Sequence, residues 1–194
     1  MMAENTITIR DAELTDAEAM GRVHGEAWRV GYATVFEAGF LSFAVEQRRT
    51  GWGQLLSERR VRESRVLVAE VGGVMRGLTR FGRADRDAAT WELFALYVDP
   101  SYWGTGVAPA LMNRVTDEFR RSGAPRATLW TLAEARRARR FYEKSGWHLT
   151  PARRERDFGD GIPRPLVQYH LFSFSADEVV RLGIAQRECA SRGR

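Results

Sequence analysis

The alternation of apolar and polar residues predicts one strand and two helices in the first third of the chain. Residues 7–10 alternate as a half-buried strand does, and apolar positions recur at helical spacing over residues 20–30. A second helical pattern covers residues 43–60, where Gly51 and Gly53 would weaken or break the helix. The expected order of these elements is β-α-α.

The middle of the chain alternates between strands and helices. Two strand-like runs, residues 66–71 and 74–81, flank a Gly-Gly pair of the kind that closes two-residue hairpins. A long buried strand is expected at residues 91–98, and an amphipathic helix follows at residues 107–121. Because a helix separates them, the strand at residues 127–131 should lie parallel to the earlier strand through a right-handed crossover.

The last third of the chain predicts a further helix and two strands. Thr131 and Glu134 have the spacing of a capping box, which predicts a helix from this point to about Lys144. Strand-like runs follow at residues 147–156 and 166–172.

This order of elements predicts an α/β fold. A mixed, mostly antiparallel twisted sheet of about seven strands would be flanked by helices. A single domain would cover residues 1–172, and residues 173–194 would form a C-terminal tail helix. With 194 residues, 44% of them hydrophobic, the chain can bury one sizeable core, and its length fits one domain better than two.

Composition narrows the class of protein. No run of eighteen apolar residues occurs and the N-terminus lacks the order of a secretory signal, which predicts a cytoplasmic protein. The single cysteine, Cys189, excludes an internal disulfide and a Cys-rich metal site. The net charge is +5, and nearly all the positive charge is arginine, which suits a mixed-charge surface or a partner that carries phosphates.

A Gly-bearing turn between the strand at residues 91–98 and the following helix is the first candidate for chemistry. Gly104 and Gly106 let a ligand approach the backbone, and the free N–H groups at a helix start attract negative charge. Such a turn can bind a pyrophosphate, although it can also be purely structural. It is not a Walker loop, because no Gly-Lys-Ser/Thr follows, and it lacks the third Gly of a dinucleotide fingerprint.

The helix that begins near residue 133 is the second candidate. Ala135, Ala138 and Tyr142 share one face, which leaves a channel lined by small side chains with one hydroxyl in it. Close packing of the helix against a sheet, with Tyr142 as a core aromatic residue, would explain the same pattern.

Together these two segments resemble the GNAT family of N-acetyltransferases, and the likeness covers about residues 7–172. The acetyl-CoA motif of that family, Gln/Arg-x-x-Gly-x-Gly/Ala, is matched at residues 103–108. Its second motif, Asn-x-x-Ala-x-x-Phe-Tyr-x-x-x-Gly-Phe, is matched at residues 135–147. Two positions depart from the motifs, since Trp103 replaces Gln or Arg and Ala135 replaces Asn.

The resemblance implies that acetyl-CoA is a co-substrate, that no metal takes part, and that a parallel strand pair splays open at the acetyl-CoA site. The residues expected to bind acetyl-CoA lie on the strand end, in the turn and on the second helix: Leu96, Tyr97, Val98, Trp103, Gly104, Thr105, Gly106, Val107, Ala108, Ala135, Ala138, Phe141 and Tyr142.

The resemblance also implies direct transfer of the acetyl group to a primary amine in a ternary complex. A main-chain N–H at Leu96 or Tyr97 would polarise the thioester carbonyl as negative charge develops on its oxygen. The catalytic hydroxyl of Tyr142 would protonate the departing thiolate or donate a hydrogen bond to it.

The resemblance makes Glu92 the candidate general base, because some histone-acetylating members of the family carry a glutamate at this strand position. The residues add limited support, since a carboxylate on a buried strand needs a reason. Strict alternation would place Glu92 on one face with Phe94, Leu96 and Val98. Since Glu92 and Leu96 are about 13 Å apart along an extended strand, a water relay or a bulge would be needed. An ion pair with a nearby arginine would equally explain Glu92. Two other carboxylates, Glu26 and Glu37, are weaker alternatives.

An acceptor pocket is expected to be aromatic, although core packing would explain any one of its residues. The proposed substrate-binding residues are Trp28, Tyr32, Phe36 and Phe94. The three histidines, His24, His148 and His170, have no metal-ligand spacing and are expected to be structural.

Two other functions stay open at this point. The departures at Trp103 and Ala135 would suit a CoA-binding regulatory module without catalysis, and the arginine clusters would suit a family member that acts on charged tRNA. The expected acceptor is a small-molecule amine or a protein amino group. A membrane is not expected as a partner, nucleic acid is disfavoured, and a homodimer is a family-level expectation.

Overall fold

The computed structural model of the protein describes residues 6–57, 64–84 and 87–172. The predicted tail helix at residues 173–194 and Cys189 lie outside these ranges.

Seven strands form one mixed sheet in the spatial order β1-β2-β3-β4-β5-β7-β6. Every neighbouring pair is antiparallel except β4 and β5, which are parallel, so the predicted sheet is confirmed. The strands are β1 (Ile7–Asp11), β2 (Ser64–Val71), β3 (Val74–Ala84), β4 (Asp87–Val98), β5 (Arg126–Leu132), β6 (His148–Arg156) and β7 (Arg164–Phe172).

Helices cover both faces of the sheet, because alternate side chains of the strands point to opposite faces. On one face, Leu111 and Phe119 of α3 pack into a core that also contains Tyr142 of α4. On the other face, Met20 of α1 and Trp52 of α2 pack against β2 and β3. The helices are α1 (Ala17–Gly31), α2 (Ala38–Ser57), α3 (Val107–Arg121) and α4 (Arg136–Lys144).

The parallel pair opens after four residue pairs. Pairing between β4 and β5 runs from Thr90 with Arg126 to Leu93 with Leu129. Beyond that point β4 continues to Val98 and β5 to Leu132, and their recorded pairing stops. The splay expected from the sequence is therefore present, and it leaves an edge of β4 facing a gap in the middle of the sheet.

An irregularity in β4 changes which face its residues occupy. Arg80 pairs with Ala95 but Phe81 pairs with Leu93, so Phe94 is an extra residue in β4. A bulge of this kind shifts the alternation by one position. Leu93, Leu96 and Val98 consequently share the core under α3. The prediction that Glu92 shares a face with Leu96 and Val98 is therefore wrong: Glu92 points to the α1 side.

Two helix predictions also needed correction. Helix α2 begins at Ala38 and continues through Gly51 and Gly53, because Trp52 between them is anchored in the core. Burial of the Trp52 side chain stabilises the helix by more than the cost of about 1 kcal/mol that a glycine in a helix interior carries. The capping box at residues 131–134 does not form, since β5 extends to Leu132 through its pairing with β7 and α4 starts only at Arg136.

Candidate active site

A cleft of about 1020 Å³ passes through the gap between β4 and β5 and reaches both faces of the sheet. Its walls come from the splayed end of β4, the turn before α3, the helix α4, the C-terminal end of α1 and the edge strand β6. Most residues predicted from the sequence line it: Trp28, Tyr32, Glu92, Phe94, Leu96, Tyr97, Val98, Trp103, Gly104, Gly106, Ala108, Ala135, Ala138, Phe141 and Tyr142.

Three predicted site residues lie elsewhere. Val107 is fully buried in the core beneath the turn. Phe36 is buried and stacks on Trp28, with their ring centroids 5.4 Å apart. The exposed Thr105 side chain donates a hydrogen bond to the Tyr102 carbonyl, 2.8 Å away. These residues therefore support the walls of the cleft, and Thr105 lies on the surface of the turn.

The turn before α3 has the backbone that a phosphate site requires. Gly104 and Gly106 have φ values of +85° and +98°, which only glycine adopts without strain. Asp99 holds the preceding segment by accepting hydrogen bonds from the main-chain N–H and the hydroxyl of Ser101. Because the first N–H groups of α3 have no earlier helical carbonyl to bind, they are available to an anion.

Trp103 departs from the family motif and has a defined role in the structure. Its indole Nε1 donates to the carbonyl of Val98, 2.9 Å away, which ties the turn to the end of β4. The guanidinium of Arg137 lies 4.1 Å from the centre of its ring. Sequence reasoning missed Arg137. The available signal was a basic residue at the start of α4 in a chain whose turn has Trp103 in place of the motif's Gln or Arg.

Tyr142 lies in the cleft beneath α4, among the rings of Phe141, Trp147 and Tyr169. Burial raises the pKa of the Tyr142 phenol, and the neighbouring phenol of Tyr97 raises it further. The phenol therefore stays neutral at physiological pH and can donate a hydrogen bond into the cleft.

Tyr97 connects the cleft to a buried group of aromatic side chains. Its hydroxyl accepts a hydrogen bond from the indole of Trp28, 3.3 Å away, and its ring stacks on His24 with centroids 4.1 Å apart. His24 Nδ1 in turn accepts from the indole of Trp52 at 3.1 Å. Burial lowers the pKa of His24 to about 3, with the positive charge of Arg48 as a second cause. His24 is thus a neutral support for Tyr97.

The candidate carboxylates differ in position. Glu92 lines the cleft on the α1 side of the sheet. Glu26 and Glu37 are not among the lining residues, and Glu26 pairs with Arg29 and Arg49 at 2.7 and 3.0 Å. Hydrogen bonding to Arg29 lowers the pKa of Glu26, which makes it a poor proton acceptor.

Neither a metal centre nor a membrane span is found in the part of the chain that the structure describes. Within it, no three or more His, Cys, Asp and Glu side chains are grouped to hold a metal ion. No helix in these residue ranges is long and apolar enough to cross a membrane.

Comparison with known proteins gives one family. The family model described as the acetyltransferase (GNAT) family matches residues 34–147. A Mycobacterium tuberculosis protein named as a probable N-acetyltransferase is 25% identical over 185 residues, covering 88% of this chain and 97% of that protein. The mycothiol acetyltransferase of Beutenbergia cavernae is 44% identical over 61 residues, which is 31% of this chain and 20% of that enzyme.

Other relatives match over part of their length. An uncharacterized N-acetyltransferase of Mycobacterium bovis is 38% identical over 89 residues, which cover 45% of this chain and 55% of the relative. The chain thus spans a fifth to about half of these curated relatives.

Solved structures share the fold. The PaiA N-acetyltransferase of Thermoplasma acidophilum, in complex with coenzyme A, has a TM-score of 0.69 at 20% identity and covers 84% of this chain and 98% of its own. YncA of Salmonella typhimurium, with acetyl-CoA, has a TM-score of 0.61 at 26% identity and covers 88% and 96%.

Proposed function

The chain belongs to the GNAT family of acetyltransferases, and on that premise we propose that it transfers an acetyl group from acetyl-CoA to a primary amine. One observation carries the proposal: a single cleft joins the Gly104–Gly106 turn, the open edge of β4 and the side chain of Tyr142. These are the places where a diphosphate, a pantetheine arm and a leaving thiolate would lie in turn.

The diphosphate of acetyl-CoA would bind at the start of α3. The main-chain N–H groups of the first turn donate to its oxygens, and the helix dipole favours its negative charge. Arg137, held over Trp103, adds a cation beside the same turn. This arrangement compensates for the missing Gln or Arg of the motif, while Ala135 supplies no side-chain hydrogen bond to the pantetheine arm.

The pantetheine arm would pair with the edge of β4 that β5 leaves open. Main-chain groups of residues 96–98 can form a short ladder with the amides of the arm, as one strand does with another. A main-chain N–H of Leu96 or Tyr97 would then donate to the thioester oxygen, where charge develops in the transition state.

Acetyl transfer would take place in a ternary complex. The ammonium form of the acceptor first loses a proton, with Glu92 as the proposed acceptor of that proton through water. The free amine attacks the thioester carbonyl carbon and the C–S bond breaks, and the proton that the attacking nitrogen loses balances the one that the thiolate takes up. Because burial raises the pKa of Tyr142 above that of a free tyrosine, its hydroxyl acts mainly by hydrogen bonding to the departing sulfur.

Titration calorimetry and a thiol-release assay test the proposal. Folded protein should bind acetyl-CoA at one site per chain and release free CoA when a suitable amine is added. Absence of binding would overturn the proposal. Binding without turnover on any amine would instead support a regulatory CoA-binding module.

A further inference from the structure

The cleft lining as a whole has an excess of positive charge. The lining contains six basic side chains (Arg80, Arg136, Arg137, Lys144, Arg154 and Arg156) and two carboxylates (Glu92 and Glu134). Arg136, Arg137 and Lys144 belong to α4, on the side of the phosphate turn. The other three arginines come from β3 and β6, on the α1 side. An acceptor with several ammonium groups would be repelled there.

Aromatic rings form the apolar part of the acceptor end of the cleft. Arg154 and Arg156 are two residues apart on β6 and therefore point to the same face. Their guanidinium groups lie 4.3 Å from the ring centre of Trp130 and 5.1 Å from that of Phe158. Both rings line the cleft, as does Trp28. The wall can thus hold an apolar body beside planar cations.

A third guanidinium lies behind this wall. Arg48 of α2 stacks on Trp28, 3.2 Å from the ring centre, and donates to the carbonyl of Ala44 at 2.8 Å. Burial is the main cause that lowers the pKa of Arg48, and the positive charge of Arg156 adds to it. The two guanidinium groups lie on neighbouring rings, since Arg156 stacks on Phe158 and the ring centroids of Phe158 and Trp28 are 5.8 Å apart.

The nearby carboxylates do not neutralise this pair. Across residues 6–57, 64–84 and 87–172, no carboxylate forms an ion pair with Arg48 or Arg156. Asp160, in the β6–β7 connection, is bound by Arg164 at 2.7 Å. Arg48 is partly buried and Arg156 is exposed. A partly buried cation without a counterion is unfavourable, and an anionic ligand at the accessible Arg156 would offset the charge of Arg48 as well.

We propose that the acceptor is an amine that carries a carboxylate on an apolar body, as an apolar α-amino acid does, with the carboxylate bound at Arg156 in the field of Arg48. This inference rests on the proposed acetyl transfer and adds the substrate class.

Matched acceptor pairs test the inference. L-phenylalanine is compared with phenethylamine, and L-leucine with isoamylamine, so that only the carboxylate differs; spermidine represents polycationic amines. We expect kcat/KM to favour the carboxylated member of each pair by about 100-fold, the effect of one good charge-assisted contact. Equal rates within the pairs, or a preference for spermidine, would overturn the inference.

Variants locate the carboxylate. Arg156→Gln should lower kcat/KM for L-phenylalanine by about 10- to 100-fold and leave phenethylamine unchanged. Arg48→Met should also lower kcat/KM for L-phenylalanine. The melting temperature of this variant is measured to show that it is folded. Arg22→Gln, an exposed position of α1 outside the cleft, is the charge control and should match the wild type.

Direct binding separates this inference from the proposed function. If no acceptor turns over, L-phenylalanine and phenethylamine are titrated into CoA-saturated protein. If only L-phenylalanine binds, and Arg156→Gln abolishes that binding, the acceptor class is supported. The absence of turnover would then count against the proposed acetyl transfer but not against the acceptor class. Equal or absent binding of both would overturn the inference.

Discussion

Tyr142 shows how burial selects between two roles for one side chain. In water a tyrosine could give its proton to a thiolate with little penalty, but burial among Phe141, Trp147 and Tyr169 disfavours the phenolate. The hydroxyl is therefore better suited to stabilise the thiolate by a hydrogen bond than to ionise. Its contribution should appear in the chemical step and not in the binding of acetyl-CoA.

Tyr142→Phe should consequently lower kcat by about 100-fold, a usual effect of losing an acid or hydrogen-bond donor in a transition state. The dissociation constant of acetyl-CoA, measured by calorimetry, should change by less than about threefold. Tyr102→Phe removes a hydroxyl elsewhere on the cleft wall and should leave kcat unchanged. A Tyr142→Phe enzyme with wild-type kcat would show that another group handles the sulfur.

His24 makes the stability of the fold depend on pH. Its pKa is about 3 in the folded protein, against 6.5 for an unperturbed histidine. Between these values the unfolded chain binds a proton that the folded protein does not, so stability is lost as pH falls from about 6.5. Carboxylates with lowered pKa values, such as Asp16, add to this loss only nearer pH 4.

Urea unfolding between pH 7 and pH 5 should therefore show stability falling by up to about 1.4 kcal/mol per pH unit. His24→Gln should flatten this dependence, because glutamine does not titrate. His148→Gln changes an exposed histidine of β6 and should retain the wild-type slope. A wild-type slope in His24→Gln would mean that His24 is protonated in the folded protein.

At the scale of elements, the proposed acetyl-CoA site depends on three segments that are distant in sequence. Trp103 in the turn donates to the end of β4 and carries Arg137 of α4 on its ring. Where the family motif has Gln or Arg, Trp103 thus holds a positive charge from the neighbouring helix beside the turn. Arg137 should act on the phosphates and have no effect on the acyl end.

Arg137→Gln should raise the dissociation constant of acetyl-CoA by about 10-fold, as expected for losing one charge-assisted contact. Acetyl-pantetheine, which lacks the diphosphate, should bind the variant and the wild type equally. Arg140→Gln, exposed on α4 outside the cleft, is the matched control. If Arg137→Gln weakens both ligands alike, Arg137 supports the fold of α4 and does not contact phosphate.

Packing between α1 and α2 fixes where Arg48 lies. A Cβ at Gly21 would lie 2.0 Å from the carbonyl oxygen of Arg49, so the two helices cross at a distance that only glycine permits. This close crossing brings Arg48 onto Trp28 at the acceptor end of the cleft. The sequence contains no local signal for that contact, because it arises between two helices.

At the scale of the whole molecule, the sequence predicted the elements whose signals are local. The predicted helix at residues 107–121 matches α3 at both ends, since Gly106 and Gly123 supply the start and the stop. The parallel crossover and its splay were also confirmed. The bulge at Phe94 was not predicted in place, because the pairing between β3 and β4 decides it. It reversed the face assigned to Glu92.

In the candidate site, as in the fold, the sequence predicted the features that have a local motif and missed those that depend on tertiary contacts. Most motif residues in the turn and on α4 line one cleft, whereas Thr105 and Val107 do not.

Arg137 and Arg48 were missed because each stacks on an aromatic ring that is distant in the chain. Arg156 stacks on Phe158, two residues away, but only the folded sheet places both residues in the cleft wall. A contact that forms only in the folded protein has no fixed spacing in the sequence, so the position of such a charge cannot be predicted from the sequence.

The gap between β4 and β5 makes a prediction about amide exchange. Acetyl-CoA stabilises the whole fold by mass action, so amides that exchange only by global unfolding are slowed everywhere. Amides at the open edge of β4 should exchange through small local openings, because β5 does not cover them. Bound pantetheine would cover this edge, and bound diphosphate would cover the start of α3.

Hydrogen–deuterium exchange at short labelling times should therefore show protection by acetyl-CoA concentrated in peptides spanning residues 96–108. Residues 164–172 of β7, which pair on both sides with β5 and β6, should change little in the same interval. CoA should give the same pattern, and acetyl-pantetheine should protect residues 96–98 but not the turn. Uniform slowing across the sheet would mean that the ligand binds without occupying the gap, and the proposed path of the pantetheine arm would be wrong.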